Sequence, residues 1–279
     1  MTRGIVFYVA GNRINCLIPP ALYSLRQFYD GPICFVVDET FSPLIRKELV
    51  KQNIVCTQDD LQHPFTTHKT DIWCRKAYHH VGQYAFDTNL YYDLDHVWVD
   101  TFDHSIFDMI EEHGLICTSA NKEPGGSRWK KLAAEHCIGH VIPYFHGING
   151  GCAGAVKNSE KAQMWVDLIM QTRKHHVLRR NPEEFAMCIL KAEGVAGIAP
   201  YKWSMPISPK TFQVGFSIEK LDPHLALHCT RGTFTRSEQW RKALSNAYKE
   251  DFLSCRTIQT EYNLTKTFID KMTGANDGD

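Results

Sequence analysis

Short hydrophobic runs alternate with amphipathic stretches over the first sixty residues. The run 5–10 ends at a Gly-Asn pair, which is typical of a strand buried on both faces, and the segment 17–28 has helical spacing. A second hydrophobic run, 33–37, is followed by a helix-like stretch at 43–51 and a short run at 54–56. This alternation of strand and helix predicts an α/β fold with a mostly parallel central sheet flanked by helices.

Three further helices are indicated downstream. Apolar residues recur at helical spacing between positions 71 and 85. Another helix should begin after Ser159, a residue type that caps helices, and a third at Pro182, because proline is tolerated in a first turn. The segment 200–223, rich in Pro, Ser and Lys, is predicted to be loop. Further strands are predicted at 89–92, 97–99, 115–118 and 151–156.

Composition is that of an ordinary globular protein. The 279 residues are 43% hydrophobic and 22% charged, and no repeat, linker or low-complexity tract divides them. We therefore expect a single domain over residues 1–260, with 261–279 as a C-terminal tail. Thirty-one basic and 31 acidic residues give zero formal charge, so no overall field favours nucleic acid or an anionic membrane.

Cysteine usage indicates a reducing compartment. The ten cysteines are never closer than fifteen positions and form no C-x-x-C pair, which argues against zinc ribbons and thioredoxin-like redox chemistry. No stretch of roughly 18 uninterrupted apolar residues occurs, and the first hydrophobic run is too short for a signal peptide. These features predict a cytoplasmic protein without a membrane span.

Several common catalytic signatures are missing. No G-x-G-x-x-G follows the first strand and no G-x-x-x-x-G-K-[ST] occurs, which excludes typical Rossmann dehydrogenases and P-loop ATPases. The H-E-x-x-H motif of zinc proteases is also missing. His136 and His140 stand four positions apart and could share one helix face as metal ligands, or be solvated histidines without a ligand.

The acidic tripeptide Asp93-Leu94-Asp95 interrupts two hydrophobic runs. On an extended segment, side chains at i and i+2 point to the same face, so both carboxylates should face one site. Adjacent carboxylates repel each other unless they share a proton or a cation, and oxygen ligands suit Mg²⁺ or Mn²⁺. The alternative is a turn between two hairpin strands. The same pattern at 277–279 lacks hydrophobic neighbours and indicates a solvated tail.

The segment 89–100 resembles the D-x-D segment of GT-A fold glycosyltransferases, especially the glycogenin and lipopolysaccharide galactosyltransferase type. Three later segments follow in the order of that family. Segment 145–156 is similar to its F-N-S-G-V strand and 182–186 to its acidic helix start. Segment 227–232, with Trp240, is similar to its H-x-x-G-x-x-K-P-W motif, although Lys-Pro-Trp is replaced here.

The resemblance implies a metal site and a donor site. Asp93 and Asp95 would bind Mn²⁺ or Mg²⁺ together with His228, and the donor would be a nucleotide-diphosphate sugar, most simply a UDP-sugar. The nucleoside would lie against the end of the first strand, where ligands bind in α/β sheets. Contacts to the donor are expected from Tyr8, Ala10, Gly11, Asn12, Lys69, Arg75, Asp93, Asn149, Gly150 and Arg231.

The implied activity is metal-dependent transfer of a sugar to a glycan or protein hydroxyl with retention of the anomeric configuration. Residues 1–110 would form the nucleotide-sugar half and 111–260 the acceptor half, with Glu183 and Glu184 as the catalytic acidic residues near the sugar. Basic clusters at 128–131 and 173–180 leave open a nucleic-acid acceptor carrying hydroxymethylated bases. A non-catalytic nucleotide-sugar binding protein is the other alternative.

Overall fold

The computed structural model describes residues 1–10, 18–41, 43–59, 69–80, 84–98, 100–119, 147–173, 182–207 and 226–229. Within these ranges, ten strands, six α-helices and one 3₁₀ helix occur. In chain order they are β1 (Arg3–Val9), α1 (Ile18–Arg26), β2 (Ile33–Val37), α2 (Pro43–Lys51), β3 (Val55–Gln58), α3 (Lys69–His79), β4 (Thr88–Tyr92), β5 (His96–Trp98), α4 (Ser105–His113), β6 (Leu115–Ser119), β7 (Ile148–Val156), α5 (Glu160–Thr172), α6 (Pro182–Ala192), β8 (Gly197–Ala199), the 3₁₀ helix (Tyr201–Trp203), β9 (Met205–Ile207) and β10 (Ala226–Cys229).

Seven strands form one large sheet in the order β3-β2-β1-β4-β7-β6-β8. β1 pairs in parallel with β2 and β4, β2 with β3, and β6 with β8. β7 alone runs antiparallel, against β4 and β6. The prediction of a mostly parallel α/β sheet flanked by helices is confirmed. β7 also lies between strands from both expected halves of the chain.

A smaller sheet, β5-β10-β9, lies beyond the acidic tripeptide. β10 pairs antiparallel with β5, so that His228 lies opposite His96, and pairs in parallel with β9. β5 and β4 therefore belong to different sheets and do not form a hairpin. The late strand β10 is what brings the C-terminal part of the described chain to the acidic tripeptide.

Hydrophobic residues cover both faces of the large sheet. Along β1, Ile5 and Phe7 pack into the core with α1 and α4, whereas Val6 and Tyr8 pack on the opposite face with Tyr84 and its neighbours. A third group of buried residues joins α5 and α6 to β6 and β7. A strand with a continuous hydrophobic run is what this two-sided burial requires.

Some elements differ from those predicted. A helix was predicted between positions 71 and 85, but α3 ends at His79, where a turn at residue 80 ends the helical hydrogen bonding. The buried Tyr84 therefore lies after the helix. α4 and β8 were not predicted, and β9 lies in the segment predicted to be loop, where pairing with β10 stabilises it. The cap at Ser159 is confirmed, since its hydroxyl accepts from the Ala162 amide.

The single-domain arrangement stays a prediction, and the tail 261–279 lies outside the described residues. In the parts of the chain that the structure describes, no helix is both long enough and apolar enough to cross a membrane.

Candidate functional site

The acidic tripeptide forms a turn that connects β4 in the large sheet to β5 in the small one. Its predicted extended conformation is wrong, because β4 ends at Tyr92, before the first carboxylate. The Asp93 backbone amide donates to the carbonyl of Gly151 at 2.8 Å, and the Tyr91 hydroxyl donates to the Asp93 carboxylate. These bonds fix the turn beside β7, so that both aspartates still approach the same neighbour, His228.

His228 joins the two aspartates from β10. Its Nε2 lies 3.1 Å from Oδ1 of Asp95 and 3.8 Å from Oδ2 of Asp93, and its side chain is buried. The ring packs over Gly151, where an added Cβ would lie 2.3 Å from Cε1 of His228. Glycine at this position is therefore required for the imidazole to approach the carboxylates.

The donor atoms of this cluster fit a divalent cation. Oδ1 of Asp95 is buried and lies 3.1 Å from Nε2 of His228, an ion-pair distance when that ring is protonated. Two adjacent ligands of an octahedral cation, each about 2.1 Å from it, lie about 3.0 Å apart. The 3.1 Å separation of Asp95 and His228 matches that spacing. The structure therefore brings the three predicted metal ligands together.

His96 lies in the same cluster and was not predicted. Its donor atoms, with those of Asp95 and His228, fall within 4.8 Å of one another. Both ring nitrogens are nevertheless engaged, Nδ1 with the carbonyl of Asp93 at 2.8 Å and Nε2 with the hydroxyl of Ser204 at 2.7 Å. Burial holds the pKa of His96 well below its usual value, with nearby His228 acting in the same direction. We therefore treat His96 as a support for the turn and not as a ligand.

The charge of His228 responds to the two carboxylates. Burial lowers its pKa, but Asp95 and then Asp93 raise it by more, so the net pKa lies above the ordinary histidine value. A positive charge at this position is thus stabilised, whether it is carried by a proton or by a cation. This behaviour is what two carboxylates facing an imidazole should produce.

Lys76 on α3 reaches the site, whereas Lys69 and Arg75 were the basic residues expected there. Its Nζ donates to the carbonyl of Gly150 at 2.5 Å and lies 3.7 Å from Oδ1 of Asp93. Burial lowers the pKa of Lys76, but Asp93 and the two glutamates of α6 raise it, and the net direction is upward. Lys76 is buried on α3 together with Cys74 and Ala77, and a lysine among such buried positions was the signal that could have identified it.

The two glutamates of α6 occupy different environments. Glu183 is buried 3.6 Å from Nζ of Lys76, and burial raises its pKa to about 7. Glu184 is half-buried, and its Oε1 accepts from the Gly150 amide at 3.0 Å. Both lie in the first helical turn, where the unpaired amides favour negative charge. Of these two glutamates, Glu184 is the one that is partly exposed beside Gly150.

A second polar group lies at the end of β1, around Asp59. The Tyr8 hydroxyl donates to Oδ2 of Asp59 at 2.9 Å, while Arg75 and His79 place nitrogens 3.6 Å and 3.4 Å from that oxygen. The half-buried Ala10 packs next to this group. Tyr8 and Arg75 were expected at the donor site, whereas Asp59 and His79 were not identified from the sequence. The Asp59 group follows the carboxyl ends of β1 and β3, where ligands bind in α/β sheets.

Other predicted residues are placed as follows. Asn149 is 4% exposed as a residue, and its amide is bonded to Ser204 and His228. Lys69 is the first residue of α3. Outside the described residues lie Gly11, Asn12, His136, His140, Arg231, the cluster 128–131 and most of the cluster 173–180.

Comparisons with known proteins support the fold. No protein-family model matches the sequence, and no curated protein matches it. Mouse xyloside xylosyltransferase 1 is similar in structure, with a TM-score of 0.56 and 14% identity over 84% of this chain and 99% of that one. Galactosyltransferase LgtC, solved with donor and acceptor sugar analogues, gives a TM-score of 0.57 and 12% identity over 82% of this chain and 87% of that one. The chain therefore has the GT-A fold of these glycosyltransferases.

Proposed function

We propose that this protein is a metal-dependent glycosyltransferase that moves a sugar from a nucleotide-diphosphate sugar to an acceptor hydroxyl with retention of configuration. The observation that carries the proposal is the convergence of Asp93, Asp95 and His228, with Oδ1 of Asp95 buried 3.1 Å from Nε2 of His228. The GT-A fold places this cluster in an architecture whose solved examples include two sugar transferases.

Asp93, Asp95 and His228 would hold the cation. When bound, a divalent cation would neutralise the diphosphate as the bond between it and the sugar breaks. The mixed set of carboxylate and imidazole ligands favours Mn²⁺ over Mg²⁺, because imidazole suits transition metals better than it suits Mg²⁺. Lys76 supplies a fixed positive charge beside Asp93, since Glu183 and the Gly150 carbonyl hold its ammonium in place.

Glu184 is the carboxylate that would face the reacting sugar. It is half-buried, whereas Glu183 is enclosed with Lys76, and its bond to the Gly150 amide orients it beside β7. A carboxylate in this position would stabilise the positive charge that develops on the anomeric carbon as the diphosphate departs. Glu183 then acts on the reaction by keeping Lys76 in position.

The nucleoside would bind along the end of β1, next to Tyr8 and Ala10. The hydrogen-bonded group of Tyr8, Asp59 and Arg75 provides a rigid polar wall there. UDP is the nucleotide that the resemblance implies. A glycan or protein hydroxyl is the proposed acceptor, and the cytoplasm is the proposed location.

The test is hydrolysis and transfer measured across a panel of nucleotide sugars with Mn²⁺, with Mg²⁺ and with excess chelator. We expect turnover of a UDP-sugar with Mn²⁺, loss of turnover in chelator and recovery on adding the metal back. Retention is checked by the anomeric configuration of the product. Undiminished turnover in chelator would overturn the metal assignment. Binding of UDP-sugars without any turnover would favour a binding protein over an enzyme.

A further inference from the structure

The amide of Asn149 is held in one orientation by two backbone groups. Its Oδ1 accepts from the Gly151 amide at 3.0 Å, and its Nδ2 donates to the Ser204 carbonyl at 2.5 Å. A backbone N–H can only donate and a carbonyl can only accept, so exchanging the amide's oxygen and nitrogen would break both bonds. The backbone therefore determines which end of the Asn149 amide faces each neighbour.

This orientation determines the proton position on His228. Nδ1 of His228 lies 2.7 Å from Oδ1 of Asn149, an acceptor, so Nδ1 must carry a proton. In the neutral ring, Nε2 is then the nitrogen with the free lone pair. That nitrogen is the one that lies 3.1 Å from Asp95 and 3.8 Å from Asp93.

Ser204 and His96 extend the hydrogen-bonded chain that holds the Asn149 amide. The hydroxyl of Ser204 accepts from Nδ2 of Asn149 at 2.7 Å and lies 2.7 Å from Nε2 of His96. Since Nδ1 of His96 must donate to the Asp93 carbonyl, its Nε2 accepts the Ser204 proton. The ring of His96 stacks on that of His228, with centroids 4.4 Å apart and planes 13° apart. Every donor and acceptor in this chain of bonds has a consistent role.

We propose that Asn149, with Ser204 and His96 behind it, is a positioning residue that fixes His228 with Nδ1 protonated and Nε2 directed at the cation site. The inference rests on the proposed function, because it assigns His228 to a metal. It also changes the role expected for Asn149. Its amide oxygen and both amide protons are used within the protein, so it acts on the metal ligand and does not bind the donor.

The test compares two substitutions at one position. Asn149→Leu removes the acceptor for Nδ1 and should weaken Mn²⁺ binding about 10- to 100-fold, as loss of a hydrogen bond to a metal-bound histidine does. Asn149→Asp keeps an oxygen facing His228 but loses the amide donor to the Ser204 carbonyl, so it should bind Mn²⁺ more tightly than Asn149→Leu and more weakly than the original protein. If Asn149 merely filled the core, Asn149→Leu would bind Mn²⁺ more tightly than Asn149→Asp, because a carboxyl is costlier to bury than a leucine side chain. Free Mn²⁺ is measured by electron paramagnetic resonance with UDP present.

A second measurement covers the case in which Asn149→Leu fails to fold. Nitrogen-15 resonances of the His228 ring in the unsubstituted protein, with Mg²⁺ and UDP, should show a protonated Nδ1. A protonated Nε2 with a bare Nδ1 would overturn the inference, as would equal Mn²⁺ affinities for the two variants.

The outcomes separate this inference from the proposed function. If the unsubstituted protein binds Mn²⁺ and Asn149→Leu binds it equally well, only the role of Asn149 is lost. If the unsubstituted protein binds no Mn²⁺, the metal-dependent function and this inference fall together. Ser204→Ala should weaken Mn²⁺ binding measurably, whereas Ser105→Ala, at the start of α4, should leave it unchanged.

Discussion

The ammonium of Lys76 lies 3.6 Å from the carboxylate of Glu183, and both side chains are almost fully buried. The two residues belong to α3 and α6, which lie far apart along the chain. Their contact therefore depends on the tertiary fold and not on the local sequence. The pair joins the helix that precedes the acidic turn to the helix that carries Glu184. It therefore determines how two walls of the candidate site are held together.

Lys76→Met should destabilise the protein, because it leaves the Glu183 carboxylate buried without a counter-charge. Loss of one partner of a buried ion pair costs about 3 kcal/mol of unfolding free energy. Urea denaturation measures the effect. Adding Glu183→Gln to Lys76→Met should recover much of the loss. The control, Lys51→Met, removes an exposed partner of Glu48 and should cost less than about 1 kcal/mol. Equal effects of the two lysine substitutions would contradict the role of the buried pair.

Glu183 should make the protein less stable as the pH rises toward neutrality. Burial raises its pKa from 4.5 to about 7, so the folded state holds the proton more tightly than the unfolded state. This contribution to stability is complete below the unfolded pKa and is lost as the pH rises through about 7.

Unfolding free energies compared between the original protein and Glu183→Gln, from about pH 4 to about pH 8, isolate the contribution of this group. The difference should change by on the order of 3 kcal/mol over that range. Parallel pH profiles for the two proteins would show that Glu183 titrates normally.

Asp95→Asn should abolish most of the transfer activity. The substitution keeps the size of the side chain but removes a carboxylate whose Oδ1 is buried beside His228. Loss of a contact that stabilises the transition state costs about 3 kcal/mol, which is a rate reduction of roughly a hundredfold. Initial rates at saturating donor and Mn²⁺ give the comparison. Asp30→Asn, an exposed residue between α1 and β2, serves as the matched control and should keep full activity. Similar rates for both variants would remove Asp95 from the proposed mechanism.

Gly151→Ala should displace His228 without changing either aspartate. The added Cβ would lie 2.3 Å from Cε1 of His228, so the ring must move away from the carboxylates. We expect Mn²⁺ affinity to fall about as much as it does in His228→Ala, by roughly tenfold or more. In a His228→Ala background, Gly151→Ala should have almost no further effect, because the group it displaces has been removed. Independent, additive losses in the double variant would show that Gly151 acts through something other than His228.

The hydrophobic pattern was sufficient to predict the main strands and most of the helices. A strand covered on both faces needs an unbroken apolar run, and β1 and β2 each have one. The cap at Ser159 and the helix start at Pro182 were predicted from local backbone chemistry and are present. The acidic tripeptide could also be singled out, because two carboxylates between hydrophobic runs are unusual without a ligand. Each of these inferences concerns forces that act within a few residues.

Only the tertiary structure decided which distant residues meet. Lys76 contacts Asp93, because the buried face of α3 turns that side chain toward β7, whereas the guanidinium of Arg75 lies 3.6 Å from Asp59. His228 reaches Asp95 because β10 pairs with β5 in a second sheet, a pairing that no local period encodes. The sequence specified the chemical groups and the local backbone. Their distances depend on the path of the chain between them, and that path is set by the packing of the whole fold.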